Sequence, residues 1–161
     1  CFMSFSPKSK VWVYQSDREF TAAEVQAIEQ KLQDFTSQWK AHGHQLDAKA
    51  EVIYNFFIVF TVDEATANVT GCSIDSSVRL VKEIEQEFNV DLFNRFNMAY
   101  VADNKIIALN KEDFETLISI KKIGPQTIVF NNLVQTLEEF ENKWEVPFEK
   151  SWHSTVFAHL M

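Results

Sequence analysis

The stretch AEVIYNFFIVFTVD, residues 50–63, is apolar almost throughout and is dominated by β-branched and aromatic side chains. A strand that buries one face alternates apolar and polar residues, whereas a run with few polar residues is typical of a strand covered on both faces. We therefore predict a strand over residues 50–63 at the centre of a sheet. The rest of the chain must then supply the layers that cover it.

Helices are expected before and after this strand along the chain. Residues 21–43 place apolar side chains at steps of three and four, which is the pattern of a helix with one buried face. Thr21 and Glu24 have the spacing of a capping box at its start, and Gly43 is placed to end it. The same criteria predict three further helices, which follow the segment 71–77, Asn110 and Thr136.

Further strands are predicted from alternation and from β-forming residues, over residues 10–16, 97–110 and 127–130. The second of these is expected to be a hairpin that turns at Asp103 and Asn104. The predicted order of strands and helices along the chain contains no repeat and no linker. It predicts a single α/β or α+β domain over residues 1–161, with a mixed β-sheet packed against about four helices and an apolar C-terminal tail docked on it.

Charge and composition narrow the classes of function. The chain carries 15 Lys and Arg against 23 Asp and Glu, a net charge of −8 without a basic cluster, so we expect no nucleic-acid partner. No window approaches the ~18 apolar residues of a membrane span, so no membrane partner is expected. No signal peptide is visible, and two cysteines are too few for a disulfide framework, which predicts a cytoplasmic protein. Cys1 is expected to follow removal of an initiator methionine.

The most unusual stretch is GCSIDSS, residues 71–77, which precedes an amphipathic helix. It combines a glycine, a thiol, three hydroxyls and a carboxylate. We expect the helix to begin between Ser73 and Ser76. Its first N–H groups are then free and carry positive potential, which three different arrangements can use.

The first arrangement is capping. A side-chain oxygen of Ser73, Asp75 or Ser76 would accept hydrogen bonds from backbone N–H groups. Gly71 would form a turn, and Cys72 would be a small buried apolar residue. In this interpretation the stretch carries no chemistry.

The second arrangement is catalysis by Cys72. A helix N-terminus favours the thiolate form of a cysteine, and a general base activates it further. The candidate bases are His42, His44 and His153. Asp75 is the candidate group for orienting one of them, although its charge also opposes thiolate formation.

The third arrangement is anion binding. Backbone N–H groups beside Gly71, together with the hydroxyls of Ser73, Ser76 and Ser77, suit a phosphate or a carboxylate. Asp75 weakens this interpretation because it competes for the same donors.

A second ligand-binding candidate is the pair Asn131 and Asn132. It follows a predicted buried strand, and ligands bind at such positions in open α/β sheets. The alternative is that the two asparagines form a simple turn.

Several kinds of site are not supported by the sequence. The histidines of AHGH lack the further ligands of a metal site, so no metal is expected. The patterns G-x-x-x-x-G-K-[ST], G-x-G-x-x-G and G-x-S-x-G do not occur, and no cofactor is implied.

Five segments occur in an order that resembles a family of short proteins from Bacteroidetes bacteria: VWVYQSDREFT, WKAHG, GCSIDSSVR, VFNNLV and SWH. GCSIDSS is the most specific of them, and the resemblance covers nearly the whole chain. Members of that family are often labelled ABC transporter ATPase, a label that a chain without the phosphate loop or an ABC signature does not support. The resemblance implies a single-domain, cytoplasmic bacterial protein and brings no catalytic residue with it.

The leading hypothesis is a ligand-binding or reactive site at residues 71–77, with Cys72 as nucleophile if the protein is an enzyme. The alternative is a non-catalytic binding or interaction protein, in which the same stretch caps the helix or holds a small anion. The partner would be a small molecule or a protein. A homodimer through an exposed aromatic patch is also left open.

Overall fold

The computed structural model describes residues 5–41, 43–64 and 69–160. Its helices are Ala22–Gln38 (α1), Gly71–Phe88 (α2), Lys111–Ser119 (α3), Leu137–Lys143 (α4) and His153–Val156 (α5). Its strands are Lys10–Gln15 (β1), Lys40–Ala41 (β2), His44–Gln45 (β3), Asp47–Ile53 (β4), Phe57–Asp63 (β5), Met98–Ala102 (β6), Lys105–Leu109 (β7), Ile128–Phe130 (β8) and Glu145–Pro147 (β9).

The described strands form three antiparallel sheets, in the orders β1-β5-β4, β2-β3 and β7-β6-β8-β9. The predicted combination of α and β structure in one domain is confirmed. The strands do not, however, join into the one mixed sheet that was expected. Tight hairpins connect β4 to β5 and β6 to β7, and a tight hairpin makes its two strands antiparallel.

Residues 50–63 are divided between two strands of a hairpin, so the prediction of one continuous strand is wrong. The chain turns at Tyr54 and Asn55, whose φ angles are 57° and 61°. Positive φ at both positions is typical of a type I′ turn, but tyrosine is an unusual residue there, which is why the sequence does not reveal it. The strand β5 is buried at all its positions and lies between β1 and β4, so the prediction of a central strand is confirmed for the second half of the stretch.

Side chains of β5 alternate between two apolar clusters. Ile58, Phe60 and Val62 pack in a cluster with residues of α1 and α2. Phe57 and Val59 pack in another cluster, which also contains residues of the second large sheet and of α4. Helices therefore cover one face of the first sheet, and the second sheet covers the other.

The second sheet alternates in the same way. On β6, Ala99 belongs to the cluster between the two sheets, whereas Met98 packs with Phe114 of α3 and with Phe157. The layers are therefore helix, sheet, sheet and helix, with both faces of each large sheet covered. Burial of Phe157 also confirms that the C-terminal tail docks on the domain.

Local signals in the sequence set most of the helix starts. Thr21 and Glu24 form the predicted capping box, with bonds of 3.1 Å and 2.9 Å in the two directions. Asn110 and Thr136 cap α3 and α4 as predicted. The helix α1 ends at Gln38, so the prediction that Gly43 ends it is wrong. The small hairpin β2–β3 begins at Lys40, and Gly43 lies in its turn with φ of 79°.

None of the described helices has both the length and the apolar character that crossing a bilayer requires.

Candidate functional site

The stretch GCSIDSS forms the first two turns of α2. Thr70 is the N-cap of this helix, and its hydroxyl accepts a bond of 3.2 Å from the N–H of Ser73. The prediction of a start between Ser73 and Ser76 is wrong, because Thr70 lies in the extended conformation that suits a cap and the helix begins directly after it. Gly71 is accordingly the first residue of the helix rather than part of a turn.

The three serine hydroxyls of this stretch bond to backbone carbonyls. Ser73 is buried, and its Oγ donates to the carbonyl of Lys40 at 2.9 Å. Ser76 and Ser77 donate to carbonyls of the preceding turn of their own helix, at 3.0 Å and 2.6 Å. An anion site needs hydroxyls that converge on one open space. These three instead connect α2 to β2 and to itself.

Cys72 is exposed on the first turn of α2, so the expectation of a buried thiol is wrong. Asp75 and His44 are exposed as well, and His42 lies outside the described residues. His153 belongs to α5, on the outer side of the second sheet, whereas α2 covers the first sheet. The structure therefore does not bring Cys72 and His153 together, and the thiol has no hydrogen bond to any described residue.

Two of the residues that were predicted to belong to a site, His153 and Asn132, line one cavity. It has a volume of about 680 Å³ and lies at one end of the two-sheet sandwich, where the ends of β1, β6 and β8 meet the loop 92–97, the start of α3 and the helix α5. We call it the end cavity. Six aromatic side chains line it: Tyr14, Phe93, Phe96, Phe130, Trp152 and Phe157.

The loop beside the end cavity is shaped by short Asp and Asn turns. Asp91 Oδ1 accepts bonds of 3.2 Å from the N–H groups of Phe93 and Asn94. Asn94 Oδ1 in turn accepts a bond of 2.9 Å from the N–H of Phe96. These bonds hold a loop conformation in which both phenylalanines remain exposed, Phe96 by 57%.

Exposed apolar side chains gather at the mouth of the end cavity. Seven large hydrophobic residues are exposed in the described part of the chain, and four of them, Phe93, Phe96, Leu133 and Val156, line this cavity. Isolated exposed apolar residues are ordinary on a protein surface, whereas their concentration around a cavity is typical of a binding surface.

Asn132, in the wall of the end cavity, connects β1 to the end of α4. Its Nδ2 donates to Gln15 Oε1 at 2.9 Å, and its Oδ1 accepts from Trp144 Nε1 at 2.9 Å. Gln15 extends this series of hydrogen bonds by donating to the carbonyl of Met98 at 3.0 Å. Asn131, in contrast, accepts a bond from the backbone two residues later, which is the turn that the alternative interpretation described.

His153 is a buried polar group of the wall. Its Nδ1 lies 2.6 Å from Ser151 Oγ, and its ring stacks on Trp152 with the centroids 3.8 Å apart. Burial lowers the pKa of His153 to about 4, so the ring is neutral at pH 7. The indole Nε1 of Trp152 is buried and has no hydrogen-bond partner among the described residues.

The charged side chains that line the end cavity are both cationic, Arg95 and Lys111. The carboxylates of Asp17 and Asp91 border a smaller neighbouring cleft instead. Both accept backbone N–H bonds there, Asp17 from Asp91 and Asp91 from the loop. In the described ranges, no group of three or more His, Cys, Asp and Glu residues is placed to hold a metal ion.

One feature of the sequence indicates the end cavity, although the site residues were predicted without it. Two phenylalanines, Phe93 and Phe96, stand three residues apart in the segment DLFNRFN between a helix and a strand. Loops rich in Asp and Asn are usually polar, so aromatic residues within one point to a surface that the loop presents.

Comparison with protein-family models, with curated proteins and with solved structures found no match to this chain. The resemblance to the Bacteroidetes family stays a prediction.

Proposed function

We propose that the protein is a non-catalytic binding protein, and that its end cavity holds a small, largely apolar ligand. The observation that carries the proposal is the concentration of exposed apolar residues around a cavity with aromatic walls. Ligand pockets commonly measure about 300–1,000 Å³ and have mainly apolar linings with a few polar groups. The end cavity, at about 680 Å³, fits this description.

In this proposal GCSIDSS is the start of a helix rather than a site. Its serine hydroxyls bond to carbonyls, and its thiol forms no hydrogen bond with any of the described residues. A small molecule is favoured over nucleic acid as the partner because the net charge is −8. The cytoplasmic location and a homodimer stay predictions.

A variant that fills the mouth tests the proposal. Val156→Trp adds an aromatic ring at the rim, where the side chain is 49% exposed. The matched control is Ile120→Trp, because Ile120 is 56% exposed and does not line the end cavity. The probes are 2-naphthalenemethanol and 2-naphthoate. Binding is followed by calorimetry and by the NMR shift of the Trp152 indole N–H.

We expect at least one probe to bind the wild type and to move the Trp152 resonance. Val156→Trp should weaken binding at least about tenfold, or about 1.4 kcal/mol, whereas the control should not. Failure of both probes to bind would overturn the proposal. Equal affinities of the wild type and Val156→Trp would overturn it as well, because the ligand would then lie elsewhere.

A further inference from the structure

The charge of the end cavity is opposite to that of the whole chain. Acidic residues outnumber basic ones by 23 to 15 in the sequence. The cavity is nevertheless lined by Arg95 and Lys111, and no Asp or Glu of the described residues lines it. A cavity lined by one sign of charge concentrates ligands of the other sign.

The position of Lys111 is unfavourable for a cation within its own helix. It is the first residue of α3, where the helix dipole disfavours a cation. It forms no salt bridge with any described residue, although Glu112 and Asp113 follow it directly. Its ammonium nitrogen instead lies 5.6 Å from the centroid of the Phe96 ring, at the edge of the end cavity. This contact holds the cation beside the apolar space.

The buried polar side chains beside the end cavity carry no charge. His153 is neutral at pH 7, because burial lowers its pKa to about 4. Trp152 Nε1 is a buried donor without a partner among the described residues. The positively charged side chains at the end cavity are therefore Lys111 and Arg95, and their attraction for an anion is stronger beside apolar walls than in water.

We propose that the ligand of the end cavity is an organic anion, with an apolar body against the aromatic walls and one acidic group held by Lys111 and Arg95. This inference rests on the proposed function and names its ligand class. A cationic ligand would face two like charges, and a neutral ligand would leave both without a partner.

The test compares three compounds that share one ring system and differ in charge. These are 2-naphthoate, 2-naphthalenemethanol and 2-naphthylmethylammonium, titrated into the full chain at pH 7 and low salt by calorimetry. We expect the carboxylate to bind at least about fivefold more tightly than the alcohol, and the ammonium compound to bind most weakly. Added salt should reduce the preference, because the cations are near the surface.

Two variants locate the charges responsible. Lys111→Met keeps the length of the aliphatic chain, and we expect it to reduce the preference for the carboxylate to about twofold or less. Lys105→Met is the matched control: this exposed lysine of β7 does not line the end cavity, and its replacement should leave the preference unchanged. Arg95→Met is a second test on an exposed residue whose replacement does not threaten folding.

The outcomes separate this inference from the proposed function. Equal affinities for the carboxylate and the alcohol would overturn the anion inference, while the proposed binding function would stand. A preference that survives both Lys111→Met and Arg95→Met would also overturn it. Absence of binding by all three compounds would overturn the proposed function and the inference together.

Discussion

The first turns of α2 and the end cavity both place polar side chains beside apolar ones. The two regions differ in whether those polar side chains have partners within the protein. At the start of α2, Ser73, Ser76 and Ser77 all bond to carbonyls, so these hydroxyls are engaged by the backbone of β2 and of α2 itself. At the end cavity, Lys111 has no salt bridge and the Trp152 N–H has no acceptor among the described residues. A dense polar motif can thus be satisfied locally, whereas the end cavity presents a cation, Lys111, that no described carboxylate pairs with.

The largest expected effect is a dependence of the unfolding free energy on pH, which comes from His153 in the wall of the end cavity. The pKa of His153 is about 4 in the folded protein and about 6.5 in an unfolded chain. Between these values the unfolded state binds more protons, so the free energy of unfolding rises with pH in this window and falls on acidification. We expect a loss of roughly 2–3 kcal/mol from pH 6.5 to pH 4, measured by urea denaturation.

His153→Gln should remove that slope, because glutamine does not titrate. The pair Arg18–Glu24 at the start of α1 serves as an internal reference. Arg18 lowers the pKa of Glu24 to about 2, so the stability from this pair is lost only as the pH falls below about 4.5. A slope between pH 5 and 6.5 that persists in His153→Gln would contradict the assignment.

The second effect tests whether the serines of α2 are structural. Ser73→Ala removes a buried hydroxyl and leaves the Lys40 carbonyl without this donor, so we expect it to cost about 1–2 kcal/mol in unfolding free energy. Ser76→Ala is the matched control, with a change within about 0.5 kcal/mol, because its bond lies within its own helix. Neither change should alter affinity for 2-naphthoate. A large loss of affinity with normal stability would return the ligand site to α2.

The smallest effect is expected for Cys72. Cys72→Ser should change stability by less than about 0.5 kcal/mol and should leave ligand affinity unchanged, because the side chain is exposed. In a Cys1→Ser background, iodoacetamide should label Cys72 in the folded protein at nearly the rate seen in urea, as followed by mass spectrometry. Labelling much faster in the folded state would indicate an activated thiolate, and would restore the catalytic hypothesis.

The parts of the fold that local patterns describe were predictable. The cap at Asn110 and the turn at Asp103 and Asn104, with φ of 51° and 62°, depend on residues within four positions of each other. The hairpin at Tyr54 was missed, because contacts distant in sequence, rather than turn propensity, support it: the Tyr54 ring stacks on Trp144, the C-cap of α4, at 5.8 Å, and its hydroxyl donates to Glu145 of β9.

For the candidate site the prediction was mixed in the same way. His153 was named as a base for Cys72, which it does not approach, and Asn132 as a ligand-binding candidate; both line the end cavity. Phe96 and Lys111, on which the proposed recognition depends, were not named, because nothing in their own segments shows that they face the same space.

The sequence by itself determined the helix caps, the apolar helix faces and the alternation of the strands, because these follow from hydrogen bonds and side-chain periodicity over a few residues. Only the tertiary structure decided that residues as far apart as Val13 and Phe157 would line one cavity. The physical reason is that the two sheets stack through the apolar cluster between them. That stacking brings together the ends of β1, β6 and β8 with α5 at one edge.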